Sequence, residues 1–360
     1  MNQRNRILLR TIPFLIIGIL FFGLYLVLFV DIPEMINELG NVNLMIYSLA
    51  ACALVSDTLL FTASWHYLLL PLSVRISLRR AFTYVWIGIF ADLLIPAESV
   101  SGEVAKAYLL SKEPNVNPGK VVASLVSQRM LGTITTTMTL FLGFLGLLAL
   151  DFPMSDFVLQ ILVVMTVITA VASAFLLTIC VKEKWTERLV DAVLRFVEHV
   201  SRGRFKLESY QTKIVDALRA FHGSLRIYAS RPRTLLLPIF LHILAWISSI
   251  SIAFLVFLSL GYLDPNLPIL FLQVVVVYTL LVAVKSIPIG VPAEVGLPDI
   301  FMTTMFIIFG IPDGISGAAT VLTRFLTLWL RFFIGFAAVQ WLGFKSLMES
   351  GVFGRSKDKV

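Results

Sequence analysis

Two short segments of this chain carry the same set of residues able to do chemistry. Residues 96–103 read P-A-E-S-V-S-G-E and residues 292–299 read P-A-E-V-G-L-P-D, both of the form P-A-E-x-x-x-x-acid. An arginine follows each at nearly the same distance: Arg129 lies 26 residues after Glu103, and Arg324 lies 25 after Asp299. Ala123 and Ala318 each stand six residues before their arginine. The carboxylates Glu98, Glu103, Glu294 and Asp299, the two arginines, and Lys285 just before the second segment thus form duplicated charge in almost wholly apolar sequence. Charge inside a membrane is costly and marks binding sites and transport paths by default. In low dielectric these groups must pair, hold a charged ligand or change protonation. The planar fork of arginine suits phosphate, to which it donates two hydrogen bonds at once. The carboxylates suit a cationic part of a headgroup, or a proton relay. A structural reading competes. Glu103 and Asp299 would start helices, where the dipole favours a carboxylate, and the arginines would be static partners. Asp57, near mid-membrane, and His66 are weaker candidates. His66 and His242 read as satisfied packing residues, His199 and His222 as surface groups, and Arg331 as a side chain that snorkels or pairs toward the cytoplasmic side.

The elements that position these residues must be membrane spans. The 360 residues are 58% hydrophobic and 14% charged, with a mean hydropathy of +0.90. That composition excludes a soluble globular domain and indicates an all-α polytopic membrane protein. Cys52 and Cys180 lie in apolar runs, so neither a disulfide framework nor a cysteine metal site is expected. The formal charge of +7 sits in loops, where it sets topology and meets anionic headgroups, and nucleic acid is not an expected partner. The first apolar run follows Arg4, Arg6 and Arg10, lacks a small-x-small cleavage site before Asp31, and reads as a retained span.

Six full spans are expected at roughly 11–30, 43–70, 120–150, 157–181, 234–260 and 315–344. Two further apolar regions, 82–110 and 267–310, are broken at Pro96 and at the segment from Pro288. The arms of the first reach only about 16–21 Å at 1.5 Å per residue, short of a roughly 30 Å hydrocarbon core. Both read as re-entrant helical hairpins, although the first arm of the second is long enough to span alone. With the N-terminus in the cytoplasm, the outer loops 31–42, 151–157, 261–268 and 309–314 contain no Lys or Arg. The inner segments carry Arg75, Arg79, Arg80, Lys112, Lys120 and the tail from Lys345. This asymmetry predicts a cytoplasmic-membrane protein with both termini inside. The halves 43–150 and 234–344 then form an inverted repeat within one transmembrane domain, about 1–350, followed by a basic tail over 345–360. The hairpins enter from opposite faces. Arg129 and Arg324 each lie about nine residues, or about 14 Å, inside a span, so both reach mid-membrane. Segment 182–233 has twelve Lys or Arg against six Asp or Glu, with apolar residues from Leu207 to Tyr228 at spacings of three and four. It reads equally as an amphipathic helix on an anionic inner leaflet and as a linker helix packed under the bundle.

At these residues the chain resembles the transmembrane region of lysylphosphatidylglycerol synthases, also called multiple peptide resistance factors, and their stand-alone flippase-like relatives. The resemblance covers roughly 10–345. The family's Gly, Leu-x-Pro and Gly-Glu stretch is matched by Gly88 through Pro96 to Gly102 and Glu103, and its following arginine by Arg129. The second hairpin of the family reads like P-G-G-x-G-x-x-E. Here that stretch runs from Pro292 to Asp299, with Ala293 and Glu294 in place of two glycines and Asp299 in place of the Glu. The resemblance implies a lipid flippase-like fold, and opposed hairpins are similar in architecture to DedA-type lipid transporters. Bifunctional members carry an aminoacyl-transferase domain after the membrane region. The sequence ends at Val360, so a synthase of that kind is not expected.

The expected function is movement of a phosphate-containing or aminoacylated lipid headgroup between leaflets. Arg129, Arg324, Glu103, Asp299, Glu98, Glu294 and Lys285 form the substrate site. Membrane lipids with anionic or zwitterionic headgroups are the partners. One chain could form the path, and a homodimer is compatible with it. No catalytic residue, metal or cofactor is expected: the sequence lacks a G-x-x-x-x-G-K-[ST] loop, an H-E-x-x-H pair and a G-x-S-x-G elbow. The alternatives are a proton- or ion-coupled transporter of a small solute, a membrane enzyme acting on a lipid phosphate, and a non-transporting lipid-binding protein.

Overall fold

A computed structural model describes residues 20–95, 100–188, 190, 192, 211–262, 266–285 and 295–349. Among them the chain is helical, with no strand. The helices are α1 (Leu20–Phe29), α2 (Ile32–Gly40), α3 (Leu44–Leu69), α4 (Leu78–Leu94), α5 (Val100–Ser111), α6 (Pro118–Ala149), α7 (Asp156–Val181), α8 (Gln211–Ser230), α9 (Leu236–Ser259), α10 (Leu267–Lys285), α11 (Leu297–Ile308), α12 (Asp313–Arg324) and α13 (Arg331–Glu349). A π-helical segment, Phe325–Leu330, joins α12 to α13.

Five stretches are long and apolar enough to cross a membrane: Leu44–Leu72, Pro118–Ala149, Val158–Phe175, Pro232–Ser259 and Asp313–Gly343. They correspond to the expected second to sixth spans. The bent pair α1 and α2 would make a sixth. Polar caps fix where these helices start. The Asn43 side chain accepts from the N–H groups of Met45 and Ile46, the Asn117 side chain from Gly119, and Ser155 from Val158. Side chains such as Val163, Val167 and Val171 of α7 point outward, as a hydrocarbon surround requires.

The expected outer loop at 31–42 is largely a helix. Asp31 caps it by accepting from the Glu34 N–H at 3.0 Å, and Pro33 suits its first turn. α2 turns 104° from α1 and packs on α12, where Glu34 lies against Gly314 and Met35 and Val30 lie against Gly317. A short acidic segment that packs on a neighbouring helix passes for a loop when only charge is counted.

Helices α4 (17 residues), α5 (12 residues) and α11 (12 residues) are shorter than a span. α4 packs on α5, and α10 packs on α11. The tightest pairing in the bundle is α3 against α9. α6 packs along α10, and α13 packs along α4. One apolar core joins α3, α6, α9, α10, α11 and α12 around Phe257 and Phe306. A second lies where Trp65, Leu69, Tyr84 and Val121 meet Phe221 and Tyr228 of α8. α8 thus packs on α6, and the Tyr228 hydroxyl donates to the Leu68 carbonyl at 2.6 Å. Burial raises that hydroxyl above its ordinary pKa, so it remains a neutral donor. The end of the bundle nearest α8 carries the basic residues. At the opposite end, the segments 31–42, 151–157 and 309–314 carry only acidic charge.

Candidate functional site

The first cluster forms where α4 and α5 meet. The two helices touch through glycines. A Cβ on Gly102 would land on the Asp92 carboxylate and the Gly88 carbonyl, and a Cβ on Gly88 would lie 3.0 Å from the Gly102 carbonyl. The close approach lets Asp92 accept from the Ser101 hydroxyl at 2.8 Å and from the Gly102 N–H at 2.6 Å. Asp92 therefore satisfies the open N-terminal turn of α5 from across the pair. Glu103 lies on the next turn, and Arg129 Nη1 of α6 approaches its Oε1 at 3.7 Å. This is a loose contact. The two side chains remain 36% and 32% exposed, so the guanidinium has room for another acceptor.

Lys106, one turn beyond Glu103, is buried. Its Nζ lies 5.5 Å from the Phe61 ring and 5.6 Å from the Trp65 ring. Aromatic faces offset part of the cost of burying an ammonium. Asp92, Glu103, Lys106 and Arg129 act electrostatically on one another, two acids against two bases. Around Phe61 lie further polar atoms without protein partners among the described residues. Gln128 donates to the Phe61 carbonyl at 2.9 Å but leaves its Oε1 bare. His242 of α9 lies 6.2 Å from the Phe61 ring, is buried, and has neither ring nitrogen hydrogen-bonded. Buried groups of this kind imply water or a polar ligand in contact with them.

The second cluster is closed. Gly296 caps α11 with φ +99°, a conformation in which a side chain is strained. Its N–H donates to Asp299 Oδ2 at 2.7 Å, and Arg324 Nε donates to Asp299 Oδ1 at 2.6 Å. The two charged side chains are only 9% and 4% exposed. Thr303 ties the pair to α12 by donating to Thr320 Oγ1 at 2.9 Å. A third ion pair joins α3 to α13: Arg331 Nη2 meets Asp57 Oδ2 at 2.7 Å.

The structure therefore brings Glu103 to Arg129 and Asp299 to Arg324. Lys285 ends α10 and is half-buried. Glu98 and Glu294 lie outside the described residues. Among the described residues no ion pair joins one cluster to the other. Two expectations are corrected. His242 is not satisfied, since both ring nitrogens lack partners among the described residues, and His66 leaves its Nδ1 bare. His222 is not a surface group but buried, because α8 turns that face onto α6. Of the two alternatives for Arg331, snorkelling or pairing, the structure shows pairing, with Asp57. Asp92, Lys106 and Gln128 escaped the sequence reading. The signal for Asp92 and Lys106 was available, since each is a lone charge in or beside the region 82–110.

The chain is similar in sequence to known membrane proteins. The profile described as the lysylphosphatidylglycerol synthase TM region matches residues 15–335. The chain is 26% identical to a UPF0104 membrane protein of Methanocaldococcus jannaschii over 330 residues, covering 90% of this chain and 93% of that one. It is 24% identical to one of Pyrococcus horikoshii over 315 residues, 87% and 91% of the two chains. It is 26% identical to one of Methanothermobacter thermautotrophicus over 284 residues, 79% and 81% of the two chains.

Proposed function

The chain belongs to the family of lysylphosphatidylglycerol synthase transmembrane regions, and from that premise we propose that it moves a phosphate-bearing or aminoacylated lipid headgroup between the leaflets of a membrane. The observation that carries this reading is the loose Glu103–Arg129 contact at 3.7 Å, a third exposed within an apolar bundle. A buried arginine with a static structural role would be sealed, as Arg324 is by Asp299. Arg129 instead retains donors for an oxyanion. In the proposed cycle the lipid phosphate takes the guanidinium from Glu103. The released carboxylate then faces a cationic part of the headgroup or takes a proton. Lys106, Gln128 and His242 supply polar contacts around Phe61, and the hydrocarbon chains stay in the bilayer.

The packing supports an inverted repeat with paired re-entrant hairpins. Exchanging the halves would turn α3 into α9, α4–α5 into α10–α11, and α6 into α12–α13. The contact of α6 with α10 then becomes that of α13 with α4, and both occur. The α3–α9 contact maps onto itself, as expected of helices beside a two-fold axis. Short helices α5 and α11, about 18 Å long at 1.5 Å per residue, support arms that turn back before crossing. The basic end at α8 favours a cytoplasmic location for that end in a cytoplasmic membrane. The role is that of a transporter rather than an enzyme, and one chain holds the path.

The test is leaflet movement in proteoliposomes with headgroup-labelled phospholipids and polyprenyl phosphates, beside Arg129→Ala. Movement by the wild type and its loss in a folded Arg129→Ala protein is the expected result. Wild-type rates in that variant would overturn the reading. Uptake of a soluble ion or solute without lipid movement would assign the site to small-solute transport.

A further inference from the structure

A cavity of about 360 Å³ lies where α8 meets α3 and α6, and no charged residue of either cluster lines it. Its wall is apolar, formed by Leu68 near the end of α3, Met130 and Ile134 in the middle of α6, Leu225 of α8 and Leu235 just before α9. Polar groups are few: Ser127 of α6, Glu183, and His222, Arg226 and Tyr228 of α8. His222 and Arg226 both line it, and they stand one helical turn apart on the same face of α8. His222 is buried, and its Nε2 has no hydrogen-bond partner among the described residues. Arg226 is 76% exposed and uses Nη2 to meet Glu183 beyond the end of α7. A polar nitrogen buried without a partner beside an apolar cavity implies an occupant that brings its own oxygen.

We propose that this cavity holds one hydrocarbon chain of an anionic phospholipid from the adjoining leaflet, with its phosphate at Arg226 and an ester carbonyl at His222. The volume lies at the low end of the roughly 300–1,000 Å³ range of small-molecule sites, which suits one chain rather than two. The apolar wall excludes a wholly polar solute. The spacing of His222 and Arg226, about 5–6 Å between Cβ atoms at i and i+4, matches the separation of an ester from its phosphate. Charge at the mouth favours an anion: Arg219 and Arg226 of α8 and Arg231 and Arg233 after it outnumber Glu183 and Asp216. Only one of the five guanidinium donors of Arg226 goes to Glu183, so a phosphate need not break that pair. The bound lipid would hold α8 against α6 and would make that contact sensitive to membrane charge.

The probe is phosphatidylglycerol with a photoreactive diazirine in one acyl chain, in phosphatidylcholine nanodiscs holding the full-length protein. The matched phosphatidylcholine probe is the control. Adducts are expected on Met130, Ile134 and Leu225, with the anionic probe exceeding the zwitterionic one about fivefold, the effect of one basic residue near an anionic lipid. Arg226→Ala should remove that excess and Arg226→Lys should keep it. His222→Phe retains the ring packing against Phe221 and should lower cavity adducts without unfolding the protein. Arg129→Ala should leave labelling unchanged, which separates this site from the transport reading. Equal labelling by the two probes would overturn the proposal, as would adducts confined to Val163, Val167 and Val171 of α7. Displacement by soluble glycerol phosphate would show that no chain needs to enter the cavity and would equally overturn it.

Discussion

The two repeated acid–arginine pairs have the same chemistry but should respond oppositely to the same perturbation. Asp299 and Arg324 are sealed, at 2.6 Å and with 4% and 9% of their side chains exposed. Neutralising Asp299 as Asp299→Asn removes the charge that meets a buried guanidinium at 2.6 Å, which costs about 3–5 kcal/mol. It also weakens the cap on the Gly296 N–H at 2.7 Å. Glu103 and Arg129, at 3.7 Å and about one-third exposed, form a pair that solvent screens. Glu103→Gln should therefore cost less than about 1 kcal/mol. Transport should behave the other way round: Glu103→Gln folds like the wild type yet moves lipid slowly. The assay is equilibrium unfolding in mixed micelles titrated with SDS, paired with the proteoliposome assay on the same preparations. A double variant, Asp299→Asn with Arg324→Gln, should be more stable than Asp299→Asn alone, because it removes the buried charge together with its partner. Equal stability losses from Asp299→Asn and Glu103→Gln would refute the reasoning.

Three further outcomes follow from the geometry. Gly102→Ala should destabilise the α4–α5 pair by about 1–3 kcal/mol, since its Cβ would land on Asp92 and on the Gly88 backbone; unfolding and transport measured together check this, and an unchanged protein would refute the packing argument. Lys106→Met keeps the length of the side chain and removes a buried charge, so stability should hold or rise while lipid movement falls; wild-type transport would show that Lys106 is outside the path. Asp57→Asn should destabilise by about 2–4 kcal/mol and should be partly rescued by Arg331→Met, which a double-mutant cycle in the same unfolding assay measures.

Much of the fold could be read from the chain because the membrane imposes it. Runs of about twenty apolar residues became α3, α6, α7 and α9 within a few residues of their expected bounds. Glu103 with Arg129 and Asp299 with Arg324 were legible because repetition at a fixed spacing survives without any knowledge of packing. Asp92 was hidden for the opposite reason. Its partners, Ser101 and Gly102, lie across a turn, and no helical period connects them. Lys106 belongs to no repeat, and only the rings of Phe61 and Trp65 on α3 show that it is enclosed. α2 and the buried face of His222 depend on where one helix lies down on another, which hydropathy along the chain does not encode. The π segment Phe325–Leu330 lies in an unbroken apolar run with no proline to announce it, although it alters the phase between Arg324 and Arg331.

The difference between the two pairs bears on how a headgroup could cross. If both pairs were as tight as Asp299–Arg324, no arginine would have room for a phosphate. If both were as loose as Glu103–Arg129, a hydrated polar channel would run between the halves, and the membrane would leak ions. One open pair and one sealed pair, related by the repeat, avoid both outcomes. On the proposed inverted repeat, a route to the opposite state with little net change in energy exists, because each half would adopt the geometry its counterpart now has. That route is imperfect here in a way the residues specify. Asp92 and Lys106 accompany Glu103, whereas by position Met302 stands where a second Lys106 would be. The half that holds the extra charges is the one left open, and the half without them is the one closed by a glycine cap and a threonine bridge. On the proposed function, a preference for one direction of transport is therefore written into the side chains that break the repeat, rather than into those that obey it.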